Sequence, residues 1–317
     1  MLVAVCLGCV AGVIGWLAAL HGEYEILIAS RALGGAAYVV VWNAGIDIVS
    51  RAASDDYRAT AVGVFTASGP VGFALGQGTG PLITAYSGWP TIFLIFTGIP
   101  LLGMAVFWPV SRGLGRSSSG APSVAELMTV VRNRHVLFVG GIGFLGYGLY
   151  LFVNSWGSTY LTESVGLSLA VSGLLVAIFP AVGVLARVSS GAISDRLFAG
   201  RRRPVVLGSF LVATPILLGF TRFRSIAALI VMLFLAGFAI QITLGLSFTY
   251  VQELVEPRVA ATAVAFQTSV GLAGAFLAPT VGGAAIETVG FEAAFLGAGG
   301  LAILGVGLAW ATPEAGV

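Results

Sequence analysis

Two arginines stand inside stretches that are otherwise almost wholly apolar, Arg31 within residues 26–49 and Arg187 within residues 170–193. A guanidinium in hydrocarbon costs at least ~2.5 kcal/mol at mid-bilayer, so each needs a partner, a water-filled cavity or an interface toward which to snorkel. Arg187 lies eight residues before Asp195. That is roughly 12 Å along a helix from the polar turn that follows. At that depth its planar fork could bind an oxyanion through two parallel hydrogen bonds, or it could reach the headgroups or bridge two helices. Four amides share such apolar surroundings: Asn43, Gln77, Gln241 and Gln267. An unpaired amide is expensive there, so each either ties helices together or faces a polar substrate. Carboxylates are sparse, with Asp47 at the end of its run and Glu287 and Glu292 at a rim. His21 and His135 fall in opposite loops, and neither a metal-ligand spacing nor a nucleotide-binding motif is present. The chemistry on offer is recognition of charge and not bond making; the expectation is no enzyme, no cofactor and no bound metal.

What must hold these residues is a set of apolar helices. Of the 317 residues, 58% are hydrophobic and 9% charged, and so few charges cannot coat a soluble core. Ten apolar runs lie at 2–20, 26–49, 61–86, 91–110, 136–156, 170–193, 205–220, 226–251, 261–286 and 291–311. Each approaches the ~20 residues that cross a ~30 Å hydrocarbon layer. They are too long and alternate too weakly for barrel strands, and helices satisfy every backbone group internally, so the predicted class is an all-α membrane protein. The longest polar stretch follows the fourth run and is rich in glycine and serine, with a short amphipathic helix predicted near 124–131. It divides the chain into 1–111, a connector 112–135, and 136–317.

All fifteen basic residues are arginines. Arg51, Arg58, Arg112, Arg116, Arg132, Arg134, Arg196, Arg201, Arg202, Arg203 and Arg258 fall in alternate loops, which the positive-inside rule assigns to the cytoplasm together with the C-terminus. Residues 60–103 recur 202 residues later as 262–305, with fourteen identities in forty-four ungapped positions. Gly69, Gly72, Gly80 and Gly88 match Gly271, Gly274, Gly282 and Gly290, and Phe93-Leu94 matches Phe295-Leu296. Parallel repeats in a membrane chain point to a transporter. The same offset places partners of the fifth and sixth runs about 66 to 9 residues before Met1, so the first half is expected to lack two helices.

Two halves joined by a polar connector, with Gly191-x-x-x-Asp195-Arg196 and then Gly200-Arg201 in one turn, resemble the major facilitator superfamily. The resemblance covers nearly the whole chain as helices three to twelve of twelve. It implies two pseudo-symmetric bundles that rock about a central cavity. Gly191, Asp195, Arg196, Gly200 and Arg201 match the family's cytoplasmic motif, lengthened here by Leu197, Phe198 and Ala199. Arg31-Ala-Leu-Gly34 is similar to the fourth-helix motif, and Gly76-x-x-x-Gly80-Pro81 to the fifth-helix motif of antiporters without its closing glycine pair. The run from Ala186 to Arg196 is similar to the eighth helix of nitrate/nitrite transporters, where an arginine in the place of Arg187 binds the anion. The segment Asn154 to Tyr160 looks more like organic-anion and cyanate-type members.

The substrate-facing candidates are therefore Arg187, Asn43, Gln241, Gln267, Asn154 and Tyr160. The gating candidates are Gly191, Asp195, Arg196, Gly200, Arg201, Arg31, Gly76, Gly80 and Pro81. The expected function is secondary transport of a small anion with proton coupling, by a monomer in the cell membrane with lipid around it and no nucleic-acid partner. A proton-coupled drug or metabolite efflux antiporter, and a non-transporting sensor or degenerate fragment, stay open as alternatives.

Overall fold

The apolar runs fold as helices. A computed structural model describes residues 1–52, 61, 64–111 and 123–314, and every regular element among the described residues is helical. In chain order they are α1 (Leu2–His21), α2 (Tyr24–Ala52), α3 (Ser68–Ser87), α4 (Thr91–Ser111) and α5 (Val124–Arg132). Then come α6 (Arg134–Glu163), α7 (Leu169–Leu197), α8 (Arg202–Gly219), α9 (Ile226–Glu253) and α10 (Ala260–Ala311). The runs at 261–286 and 291–311 are the two limbs of α10, which breaks at Gly290, where φ is 82° and ψ is 170°. The run at 61–86 is interrupted by a turn at Ala67. Arg58, Arg112 and Arg116, the connector stretch 112–122, and the side chains of Asp47 and Arg51 lie outside the described residues.

Among the described residues, eight helices, counting α10 once, are long and apolar enough to cross a membrane. Their outer surfaces suit lipid: Val106, Phe276 and Leu185 are 74%, 77% and 63% exposed. The ends are built from polar caps that satisfy backbone N–H groups left over at a helix start. Ser168 Oγ accepts from Val171 N at 3.4 Å to open α7, Ser225 Oγ from Ala228 N at 3.3 Å to open α9, and Asn133 Oδ1 from His135 N at 3.0 Å to open α6. The amphipathic α5 begins with a capping box in which Ser123 and Glu126 bond each other's backbone. Gly22, at φ 73°, closes α1 with its N–H on Ala18 O.

The chain divides into two compact units, Met1–Ser68 with Thr79–Ser119, and Gly69–Gly78 with Gly120–Val317. In the first, α1 lies against α2 and α4. Gly12 leaves room for the Thr97 side chain and Gly34 sits 3.7 Å short of Ala11 Cβ, measured from the position its own Cβ would take. Both cysteines there are free thiols.

The second unit is organised by two parallel helix pairs. In α7 and α9, Phe179 faces Gly237, Gly183 faces Gln241, and Arg187 faces Gly245, a constant 58 residues apart and one helical turn between successive pairs. In α6 and the first limb of α10, Gly143 faces Gln267, Tyr147 faces Gly271, Phe144 faces Gly274, and Phe152 and Trp156 face Gly282 and Gly283. Lipid is as apolar as leucine, so helices associate through close van der Waals contact and interhelical hydrogen bonds. A glycine opposite a large side chain supplies the hole that contact requires. The second limb of α10 closes the unit against α8, with Gly299 under Leu218 and Gly305 under Phe210.

Candidate functional site

Arg187 emerges from the α7–α9 seam half-buried, and its Nε donates to Gln241 Oε1 at 2.9 Å. The two helices can approach here because Gly245 lacks a side chain: a Cβ on it would lie 3.3 Å from Arg187 Cα and 2.8 Å from Ser190 Oγ. Gln241 is fully buried, with its amide lodged in the space that Gly183 leaves open. Its Nε2 has no hydrogen-bond partner among the described residues. An orphaned buried donor costs about 1–3 kcal/mol.

The other buried amides use half of their capacity in the same way. Gln267 Nε2 donates to Ser247 Oγ at 3.1 Å across α10 and α9, and its Oε1 is unpaired among the described residues. Asn154 Nδ2 donates to Tyr150 O at 2.7 Å within α6, its Oδ1 is unpaired among the described residues, and its backbone oxygen accepts from Gln77 Nε2 at 2.6 Å. Of the expected substrate-facing residues, Arg187 and Gln241 are thus in direct contact, and Gln267 lies further along the α9–α10 contact. Tyr160 is elsewhere: its ring sits among Phe220, Phe291 and Phe295 at 5.7, 5.6 and 5.4 Å, and its hydroxyl donates to Thr221 O at 3.3 Å. Asn43 is exposed on α2 in the first unit.

The conformational candidates separate in a similar way. Asp195 Oδ1 accepts from Arg202 Nη1 at 2.6 Å, and the same guanidinium reaches Glu253 Oε1 at 2.9 Å through Nη2 and Ser194 Oγ at 2.9 Å through Nη1. Among the described residues, Arg202 and not the neighbouring Arg196 or Arg201 carries the ionic contacts; Arg201 contributes its carbonyl, which accepts from Ser194 Oγ at 2.9 Å. Arg196 is exposed. The longer turn is made by two successive positive-φ residues, Ala199 at 54° and Gly200 at 78°. Because an arginine stands at the N-cap of α8 and offers no acceptor, Glu314 does the capping: its Oε1 accepts from the backbone N–H of Arg202 at 2.5 Å and of Arg203 at 3.3 Å. Tyr250 fixes the same tail segment by donating to Pro313 O at 2.8 Å. Among the described residues, Gly191 has no neighbour within 4 Å of its would-be Cβ.

Arg31 bonds Ala11 O of α1 through Nη2 at 3.0 Å and lies 4.6 Å over the Phe93 ring of α4. Those contacts join three helices of the first unit, which is the interhelical role its position allowed. Gly76 borders open space among the described residues, Gly80 is 3.9 Å from Ile92 Cδ1 by its would-be Cβ, and Pro81 lies inside α3. Beside the Arg202 cluster, a cavity of about 430 Å³ is lined by Thr129, Asn133, Glu253 and Glu256. Its carboxylates make it a poor place for an anion. No group of His, Cys, Asp and Glu suited to a metal occurs among the described residues.

Reading single residues missed Gly183, Gly245, Ser247, Glu253 and Glu314. The spacing Gly237-x-x-x-Gln241-x-x-x-Gly245 carried a signal for the first of these contacts, since it places one amide between two small residues on one helix face. Nothing local marked Glu314, whose partners are 112 and 111 residues away.

The family model of the Major Facilitator Superfamily matches residues 1–279. A hexuronate transporter of Bacillus subtilis is 26% identical over 268 residues, covering 78% of this chain and 63% of that protein. A major facilitator superfamily multidrug transporter of Aspergillus fumigatus is 30% identical over 176 residues, covering 54% of this chain and 31% of that one. In fold, a bacterial homologue of the human lysosomal transporter Spinster, in an inward-facing and occupied conformation, matches 98% of this chain and 82% of its own with a TM-score of 0.71 and 15% identity. The chain thus spans less than two thirds of either of these two curated relatives. With its all-helical, multi-pass architecture, this chain belongs to the major facilitator superfamily of membrane transporters.

Proposed function

We propose that this protein is a secondary transporter that moves a small organic or inorganic anion by alternating access, with protons as the coupled ion. The observation that carries the reading is Arg187, a half-buried cation in an apolar helix whose Nε is held by the fully buried Gln241. A guanidinium so placed attracts and orients a carboxylate or similar oxyanion. The hexuronate transporter among the relatives is named for such a carboxylate, which supports the same class. In this reading residues 1–111 and 136–317 are two bundles that rock against each other, with 112–135 connecting them. Contacts of Asp195, Arg202 and Glu253 form a latch on the cytoplasmic side, where the C-terminus also lies. The protein works as a monomer in the cell membrane.

Uptake into proteoliposomes tests this directly. The full gene product is expected to accumulate D-glucuronate, nitrate or acetate under an inward proton gradient, with Arg187→Ala abolishing uptake and Arg187→Lys retaining part of it. Unchanged uptake by Arg187→Ala would remove the anion assignment. A second reading, proton-coupled efflux of drugs or metabolites, draws on the multidrug relative; export of lipophilic cations with no anion uptake would favour it.

A further inference from the structure

We infer that Gly183 and Gln241 are positioning residues for Arg187: a notch in α7 seats the amide of α9, and the seated amide aims the guanidinium. The inference rests on the anion reading of Arg187 given above. A Cβ at residue 183 would collide with Gln241 Nε2 and stand 2.5 Å from its Cδ and 2.9 Å from its Cγ. The whole terminal amide therefore occupies space that exists only because residue 183 is glycine.

With Nε2 shut in that notch, Oε1 is directed at Arg187 Nε, one turn further along α7, and closes the bond at 2.9 Å. Gly245, one turn further along α9, admits the Arg187 backbone at the same level. Nε is coplanar with the rest of the guanidinium, so an acceptor in line with Nε–H sets the plane and heading of the whole fork. Two-point recognition of an oxyanion depends on that heading, because parallel N–H···O bonds tolerate only about 10–20° of misalignment.

Two observations separate positioning from substrate contact and from simple helix adhesion. Gln241 is 0% exposed, so it presents no polar atom to a passing substrate. Its Nε2 is unpaired among the described residues, a defect that leucine or methionine would avoid while filling the notch equally well. The amide is thus retained for its one bond, to Arg187.

Transport kinetics of Gln241→Met, Gln241→Leu, Gly183→Ala and the double variant Gly183→Ala/Gln241→Leu test the chain of contacts, with D-glucuronate, nitrate and acetate as probes and thermal unfolding in detergent measured alongside. Each single variant is expected to raise KM about tenfold while kcat changes less than about twofold, since the lost interaction places the binding group and does not drive the conformational cycle. The double variant should be no worse than the worse single one, because both act through one bond. Gln241→Met conserves volume and carries the test should Gly183→Ala fail to fold. A KM within twofold of the parent in Gln241→Met, with uptake still abolished by Arg187→Ala, overturns positioning and leaves the anion reading intact; lowered stability with unchanged KM has the same meaning. Unchanged uptake in Arg187→Ala, or no uptake of any probe by the unaltered protein, overturns the anion reading and this inference with it.

Discussion

The two copies of the internal repeat share their glycines and differ in what those glycines meet. In the second copy, the first limb of α10, Gly274 lies against the Phe144 carbonyl, Gly271 against Tyr147 and Gly282 against Phe152. Among the described residues, the matching Gly72 of α3 has no neighbouring atom within 4 Å of its would-be Cβ, and Gly80 meets Ile92 alone, at 3.9 Å. The following helices differ in the same direction: none of α4 between Thr91 and Pro109 is buried, whereas the second limb of α10 buries Ala294, Phe295, Ala298, Ala302 and Ala309. Where α3 does meet other helices it uses a different face, with Phe73 edge-on to Tyr150 at 5.3 Å and Gln77 bonded to Asn154 O. A row of small residues is therefore a permission for close approach and not evidence of it.

The glycines at the turn behave otherwise. Gly88, which ends α3, has φ 79° and ψ 151°, and Gly290, which breaks α10, has φ 82° and ψ 170°. Both lie in a region essentially reserved for glycine. The two copies thus agree wherever the reason for glycine is backbone conformation and diverge wherever it is packing.

Substitutions can break that distinction. The largest effect is expected from Gly274→Ala, whose new methyl would run into backbone: a loss of about 2–3 kcal/mol of stability, read by chemical unfolding in mixed micelles. Its counterpart Gly72→Ala should be neutral or stabilising by up to ~1 kcal/mol, because alanine is the better helix former and nothing is displaced. Equal losses at both positions would end the claim that the copies differ in contact. Next, Gly88→Ala and Gly290→Ala should each cost about 1–3 kcal/mol and resemble one another, since the strain is local. A large disparity between them would show that packing also matters at the turn. Glu314→Gln should lose about 1 kcal/mol by weakening the charged cap of α8, with no counterpart among the described residues of the first unit. Smallest of all, Glu292→Gln removes the exposed pair with Arg222, 60% and 70% exposed, and should shift thermal unfolding within error.

Most of the helical framework was legible because hydrophobicity and breaker residues are properties of consecutive positions. Most runs became helices within a few residues of their expected limits, and the repeat foresaw that Gly290 would match the turn at Gly88. The exceptions are α3, which starts at Ser68 after a turn at Ala67, and α6, which runs on past 156 to Glu163. The ion pair at Asp195 was legible in kind, since a charged turn stood out there, but its partner was not. Three adjacent arginines, Arg201 to Arg203, look alike in sequence, and only the geometry at the start of α8 turns Arg202 toward Asp195 and Glu253. Tyr160 differs in the opposite direction: its segment resembled a substrate-lining one, yet the three rings of Phe220, Phe291 and Phe295 enclose it.

By itself the sequence determined that this is a duplicated, helical membrane chain with a charged turn at Asp195 and a few ionisable or amide side chains inside lipid. Those traits follow from composition, period and offset, which need no partner to be defined. The tertiary structure decided which small faces are filled, which arginine pairs with Asp195, and that Gln241, 54 residues beyond Arg187, accepts a hydrogen bond from it. Each of these depends on which side chains meet across separate helices, and in a membrane that choice is made by contact geometry, because burial in lipid rewards every apolar surface alike.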